Sequence, residues 1–207
     1  MEQVSWPLAT GGAPPAERAD AARNRAHLLA TAREMLAGQG ADTLTMDALA
    51  ERAGLGKGTV FRRFGTRAGI FRALLDDAER SFQELVLTGP PPLGPGAPPL
   101  DRLVAYGRAR IGFLIEHRDI ARATLDGSQP IPAGSRTPMS QLHIRVLLSQ
   151  MDLGPADLDM LAIQLTAALD GPLLLYLSAD DLAEPALRTA ERIARAWQDL
   201  IRRACRP

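Results

Sequence analysis

Cysteine is almost missing from this chain: Cys205 is the only one in 207 residues, and it stands third from the C-terminus. It allows no intrachain disulfide and cannot seed a metal cluster. Aromatic residues make up 4% of the chain. Val and Ile are scarce beside Ala and Leu, a balance that favours helices over sheets. Uncharged apolar runs are short. The longest candidate, Leu173 to Leu177, falls far below the roughly 18 residues of a membrane span. The N-terminus has no basic segment followed by an apolar stretch, so no signal peptide is expected. These absences point to a soluble, cytoplasmic, all-α protein with no membrane partner, no metal and no cofactor. Lysine is rare as well: Lys57 is the only lysine among 24 basic residues.

What is present is helical periodicity and an uneven charge. The formal net charge is zero, yet Thr45 to Leu75 holds six basic residues (Arg52, Lys57, Arg62, Arg63, Arg67, Arg72) against Asp47 and Glu51. That segment is therefore strongly positive inside an otherwise acidic chain, which suits a module that meets phosphate without binding it everywhere. Residues 1–19 carry Gly11, Gly12, Pro14 and Pro15 and no apolar period, and read as a mobile arm. From Ala21 to Gln39, Leu28, Ala32, Met35 and Leu36 repeat at helical spacing. Thr45 should cap the next helix, with Asp47 in its first turn. Gly54 should end it and Leu55-Gly56 make a turn into a short helix from Lys57 to about Arg63. Thr66 should cap a helix carrying Ile70, Phe71, Leu74, Leu75, Ala78, Phe82 and Leu85.

The segment 89–99 is more than half proline and breaks the helical run. Beyond it, helical patterns recur over Leu100–His117, Ile120–Leu125, Met139–Met151, Ala156–Ser178 and Pro185–Arg203, with a loop over Gly127–Pro138 and a possible kink at Gly171-Pro172. About nine helices are expected, organised as an arm (1–19), a helix-turn-helix domain (20–66), a connecting helix (67–88), a Pro/Gly-rich connection (89–99) and a C-terminal helical domain (100–207).

Two short helices joined by a glycine-containing turn, over Thr45 to Gly65, have the form of a helix-turn-helix. Gly56 and Gly58 open the second helix, where a bare backbone can approach a phosphate closely. Lys57 and Thr59 offer polar tips there. Val60 and Phe64 should face inward, Arg62 and Arg63 outward, where arginine pairs with guanine or phosphate.

At Thr45, Ala50-Glu51-Arg52-Ala53-Gly54 and Lys57-Gly58-Thr59-Val60-Phe61-Arg62-Arg63-Phe64, the chain closely resembles the DNA-binding domain of the tetracycline-repressor (TetR) family. The resemblance covers about residues 20 to 80. It implies a role in binding double-stranded DNA for Thr45, Lys57, Gly58, Thr59, Phe61, Arg62 and Arg63. Three positions depart from the family pattern: Phe61 stands where tyrosine is common, Arg63 where histidine is common, and Gly56 where a capping serine is common. Phe61 cannot offer a hydroxyl to phosphate, while Arg63 adds charge that can replace that contact.

One helix-turn-helix reads few base pairs, and dimers read two half-sites about 34–36 Å apart. The resemblance implies a homodimer through the last two helices, where Leu165, Leu169, Leu173, Ile193, Trp197 and Ile201 lie on apolar faces. A pocket for a small-molecule effector, expected to be apolar, is sought among the central helices at Tyr106, Arg110, Phe113, His143, Asp170 and Tyr176. The expected function is a repressor released from a palindromic operator by its ligand, with an activator or a ligand-independent regulator as the alternative. An enzyme is disfavoured: no Gly-x-Ser-x-Gly, phosphate-cradling loop or metal-ligand cluster is visible, and His27, His117 and His143 are scattered. A helical interaction module without DNA binding is disfavoured by the positive segment.

Overall fold

The structure, a computed structural model, describes residues 15–124, 138–177 and 186–205, apart from the side chains of 15–18, 122, 138, 172–177 and 186–189. Among the described residues it holds nine α-helices, one 3-10 turn and no strand. The chain divides into two compact units, residues 1–70 and 71–207.

In the first unit, α1 (Pro15–Gln39) leads through a 3-10 turn (Ala41–Thr43) to α2 (Met46–Arg52) and α3 (Lys57–Phe64). The helix α1 begins inside the stretch expected to be an arm; residues 1–14 of that arm lie outside the described residues. Leu28, Leu29, Ala32 and Met35 of α1 are buried, as are Leu44, Leu49, Ala50 and Val60, and these form the apolar interior of the unit. Thr45 caps α2 as its position before Met46 predicts: its hydroxyl oxygen accepts from the Ala48 amide at 3.1 Å. Gly54 ends α2 with φ of 64°, a left-handed conformation that glycine adopts without strain. The Leu55 amide then reaches back to the Ala50 carbonyl at 3.0 Å, which satisfies a terminal carbonyl of the helix.

Two long-range contacts fix the unit where periodicity gives no hint. The Nε2 atom of His27 lies 3.0 Å from the Ala53 carbonyl oxygen and ties α1 to the end of α2. Arg67 donates from Nε to the Leu44 carbonyl at 2.7 Å and from a terminal nitrogen to the Ala41 carbonyl at 2.6 Å. It satisfies backbone acceptors around the turn before α2, a job no helical pattern advertises.

The helix α4 (Arg67–Thr88) crosses the division between the units. Thr66 caps it through the Gly69 amide at 3.0 Å. Phe82 and Val86 are its buried residues toward the second core, whereas Leu85, expected to face inward, is exposed. The segment after it ends at α5 (Pro99–Glu116), which begins with proline in its first turn and Asp101 beside it, a start that needs no amide donor and favours an acid.

The second unit continues with α6 (Arg118–Ala123), α7 (Pro138–Leu148), α8 (Leu158–Leu177) and α9 (Ala186–Ala204). The helix α5 packs on α7, α8 and α9, and α7 packs on α8. Leu103, Tyr106, Ile111, Phe113, Ile144, Leu147, Leu165, Leu169, Trp197 and Ile201 make the core. Each such side chain contributes about 1.5–3 kcal/mol by leaving water. The helix α8 runs unbroken through Gly171-Pro172 to Leu177. The loop expected at Gly127–Pro138 lies outside the described residues as far as 137.

Four of the six residues expected at a dimer face are buried within the single chain. Leu165, Leu169, Trp197 and Ile201 are each at most 3% exposed within the single chain. They close the unit's own core. Leucines four apart build an apolar stripe in either case, so the pattern alone cannot separate a core face from an interface. Ile193 is half-buried against the same core. Leu173 falls on α8, but its side chain is not described.

Candidate functional site

The helices α2 and α3 set the first candidate site. Val60 is fully buried and anchors α3, leaving Lys57, Phe61, Arg62 and Arg63 exposed along its outer side and Thr59 half-buried. A Cβ at Gly56 or Gly58 would meet no atom within 4 Å, so the front of α3 is open to an approaching backbone. Phe61 is 49% exposed; it is not core. An exposed ring beside three cations is suited to touch a thymine methyl.

The cations are placed by neighbours. Lys57 Nζ lies 2.9 Å from the Asp47 carboxylate at the start of α2. Both side chains are exposed, so the pair is weak and a phosphate can replace the carboxylate. Arg62 leans toward Thr59 Oγ1 at 3.5 Å. Arg63 donates to the Ala21 carbonyl of α1 at 3.0 Å. With Asp20, Asn24 and Thr59 these arginines line an open groove of about 400 Å³ between α1 and α3. Asp47 and the α1 residues Asp20, Ala21 and Asn24 were not legible as part of this face; only their position in the fold brings them there.

In the second unit the structure brings together Tyr106, Arg110, Phe113 and His143, four of the six residues proposed for a pocket. Arg110 is 1% exposed, and its guanidinium pairs with Glu79 of α4 at 2.7 Å. It also lies over the rings of Phe82 and Phe113, 5.6 and 5.0 Å from their centroids, an arrangement that offsets part of its desolvation. Tyr106 donates to Ser140 at 2.6 Å, a buried bond between α5 and α7. The rings of Tyr106 and His143 sit 4.8 Å apart.

Burial, and then the positive charge of Arg102, pull the His143 pKa down from 6.5 to about 4, so its imidazole is neutral at neutral pH. Burial pushes the Asp170 carboxyl above its ordinary value, against the pull of Arg110. Tyr176 is on α8, and its side chain is not described. His117 caps the end of α5 and stacks on Phe113, in keeping with a place at a helix end.

A small cleft opens beside this cluster. It is lined by Glu79, Phe82, Val86, Tyr106, Met139, Ser140 and His143, among others. Glu79, Phe82 and Ser140 were missed as site residues. The signal was there for Glu79: it lies four residues after Leu75 and three before Phe82, an acid set into the inward register of α4.

Among the described residues, no helix is long and apolar enough to cross a membrane. The arrangement of α2, its turn and α3, held by α1, is that of a helix-turn-helix. Residues 28–74 match the family model for bacterial regulatory proteins of the tetR family. The match marks residues 28–74 as a DNA-binding domain of the tetR type.

Solved structures extend the fold likeness across most of the chain. A TetR-family transcriptional regulator from Pectobacterium atrosepticum shares 20% identity with a TM-score of 0.67, covering 92% of this chain and 98% of that one. A putative TetR-family regulator from Rhodococcus sp. shares 18% with a TM-score of 0.61, over 89% and 100%. A TetR/AcrR-family regulator from Thermobifida fusca shares 18% with a TM-score of 0.58, over 86% and 97%. At these identities they establish the fold. No curated protein matches the chain.

Proposed function

We propose that this protein is a homodimeric repressor whose α3 reads an operator and whose second unit binds a small molecule that releases it. The observation that carries the DNA reading is the outward row of Lys57, Thr59, Phe61, Arg62 and Arg63 on a helix anchored by Val60. Ligand responsiveness is supported by the cleft, which sets buried polar groups within an apolar interior. Ligand that prefers one conformation lowers operator affinity by the difference in its own affinity for the two.

Selection of binding sites from random-sequence duplex, followed by titration of the selected duplex across salt, tests the reading. Affinity should fall steeply as salt rises. Arg62→Ala should weaken binding about ten- to hundred-fold if it holds a base edge, as a good bidentate pair is worth roughly 1–3 kcal/mol. Lys57→Ala should weaken all sequences alike and lower the salt slope by about one. Failure to enrich any sequence would sink the DNA reading.

A dimer needs a face that the core has not used. Met160 and Ile163 of α8 and Leu200 of α9 are exposed apolar residues on the last two helices. They replace the buried leucines as the proposed contact. Ile163→Arg should shift the sedimenting species from dimer to monomer while leaving the helical content intact; a wild type that sediments as a monomer on its selected duplex refutes the dimer.

A further inference from the structure

The cleft between α4, α5 and α7 has its polar atoms unequally satisfied. Tyr106 and Ser140 answer each other at 2.6 Å, and Glu79 answers Arg110 at 2.7 Å. Among the described residues that line it, His143 is the one with a buried polar atom lacking a partner, its Nε2. Phe82, Val86, Leu87 and Met139 supply an apolar wall. The enclosed space is about 20 Å³, room for roughly one water, so an occupant larger than water must widen it.

We propose that the cleft takes an uncharged, mainly apolar small molecule bearing one hydroxyl or carbonyl group, which pairs with His143. This rests on the reading of the second unit as ligand-responsive and names the ligand class. An anionic ligand would enter beside the Glu79 carboxylate, and a cationic one would compete with Arg110 for it while facing Arg102, whose charge already acts on His143. Either ion would also give up its water for a site whose charges are already paired. A neutral imidazole has one nitrogen that donates and one that accepts, so whichever tautomer is present finds a match in a carbonyl or in a hydroxyl. Arg110 serves the same selection from behind the wall: it occupies the Glu79 carboxylate at 2.7 Å.

The test uses the full-length protein and four compounds of one shape: cyclohexanol, cyclohexanone, cyclohexanecarboxylate and cyclohexylammonium. The chain has three histidines, so the ring signals of His143 can be assigned by NMR from its His143→Phe variant, which keeps a ring against Tyr106. Cyclohexanol or cyclohexanone should move the His143 signals to saturation, at least ten-fold tighter than either ion. In His143→Phe, binding read by thermal shift should lose that preference.

Tighter binding of the carboxylate or the ammonium at His143 would overturn the class. So would the absence of any His143 response to all four. Release from the selected duplex, screened with these and a broader set of compounds, separates this failure from that of the wider reading. Release without a His143 response overturns the cleft and its class but keeps ligand control. No release by any compound counts against ligand control itself.

Discussion

Glu79→Leu should cost this protein on the order of 3–5 kcal/mol, the loss expected when one partner of a buried ion pair is removed and the other stays behind. The side chain of Arg110 is 2% exposed and that of Glu79 16%, so the variant strands a guanidinium that water cannot reach. Its Nε already has no partner. Arg110→Met should cost less, because the half-buried Glu79 can turn toward solvent. The double variant Glu79→Leu/Arg110→Met should recover most of the loss, since a leucine and a methionine between Phe82 and Phe113 pack without charge.

Denaturant unfolding followed by far-ultraviolet circular dichroism, at one fixed protein concentration, reads all three. A Glu79→Leu variant within about 1 kcal/mol of wild type would mean that Arg110 finds another acceptor, with Asp170 as the candidate whose charge it already feels. If the double variant is as stable as wild type but no longer yields DNA to a ligand, the pair is kept for control and not for stability.

The all-helical fold, the cap of α2 and the short helix α3 were legible because each rests on local chemistry: Thr45 before Met46, glycine at the end of α2, and Val60 inward with Arg62 and Arg63 outward. The helix bounds after the proline-rich segment also follow from turn residues. What was not legible depends on which apolar face meets which. Leu165, Leu169, Trp197 and Ile201 carry the same four-residue period whether they seal a core or join two chains, and here they seal the core. Arg67 and Arg63 read as surface charge, yet both reach carbonyl oxygens more than twenty residues away. Such contacts are set by the tertiary fold, and no local period encodes them. Ser140 lies beside the expected loop and carries no sign in sequence that it will bond Tyr106.

Gly107 shows the same limit from the other side. It sits inside α5, where glycine costs about 1 kcal/mol relative to alanine, and an isolated helical glycine signals a close approach. The approach is that of Trp197 from α9: a Cβ at 107 would overlap the indole at Nε1, Cε2 and Cδ1. That indole is 3% exposed and donates to the Leu103 carbonyl at 3.2 Å. Gly107→Ala should therefore destabilise the protein by at least the roughly 1–3 kcal/mol of core overpacking, beyond the gain in helix propensity. Trp197→Ala alone should cost about 3–5 kcal/mol, the usual loss for a buried large aromatic.

The decisive comparison is the sign of the glycine change once the indole is gone. In a Trp197→Ala background the clash has no partner, only the propensity term is left, and Gly107→Ala should turn neutral or stabilising by up to about 1 kcal/mol. Unfolding midpoints of the four proteins give the coupling directly. A Gly107→Ala variant equally harmful with and without Trp197 would place the cost in the backbone of α5 rather than in the packing of α9 upon it.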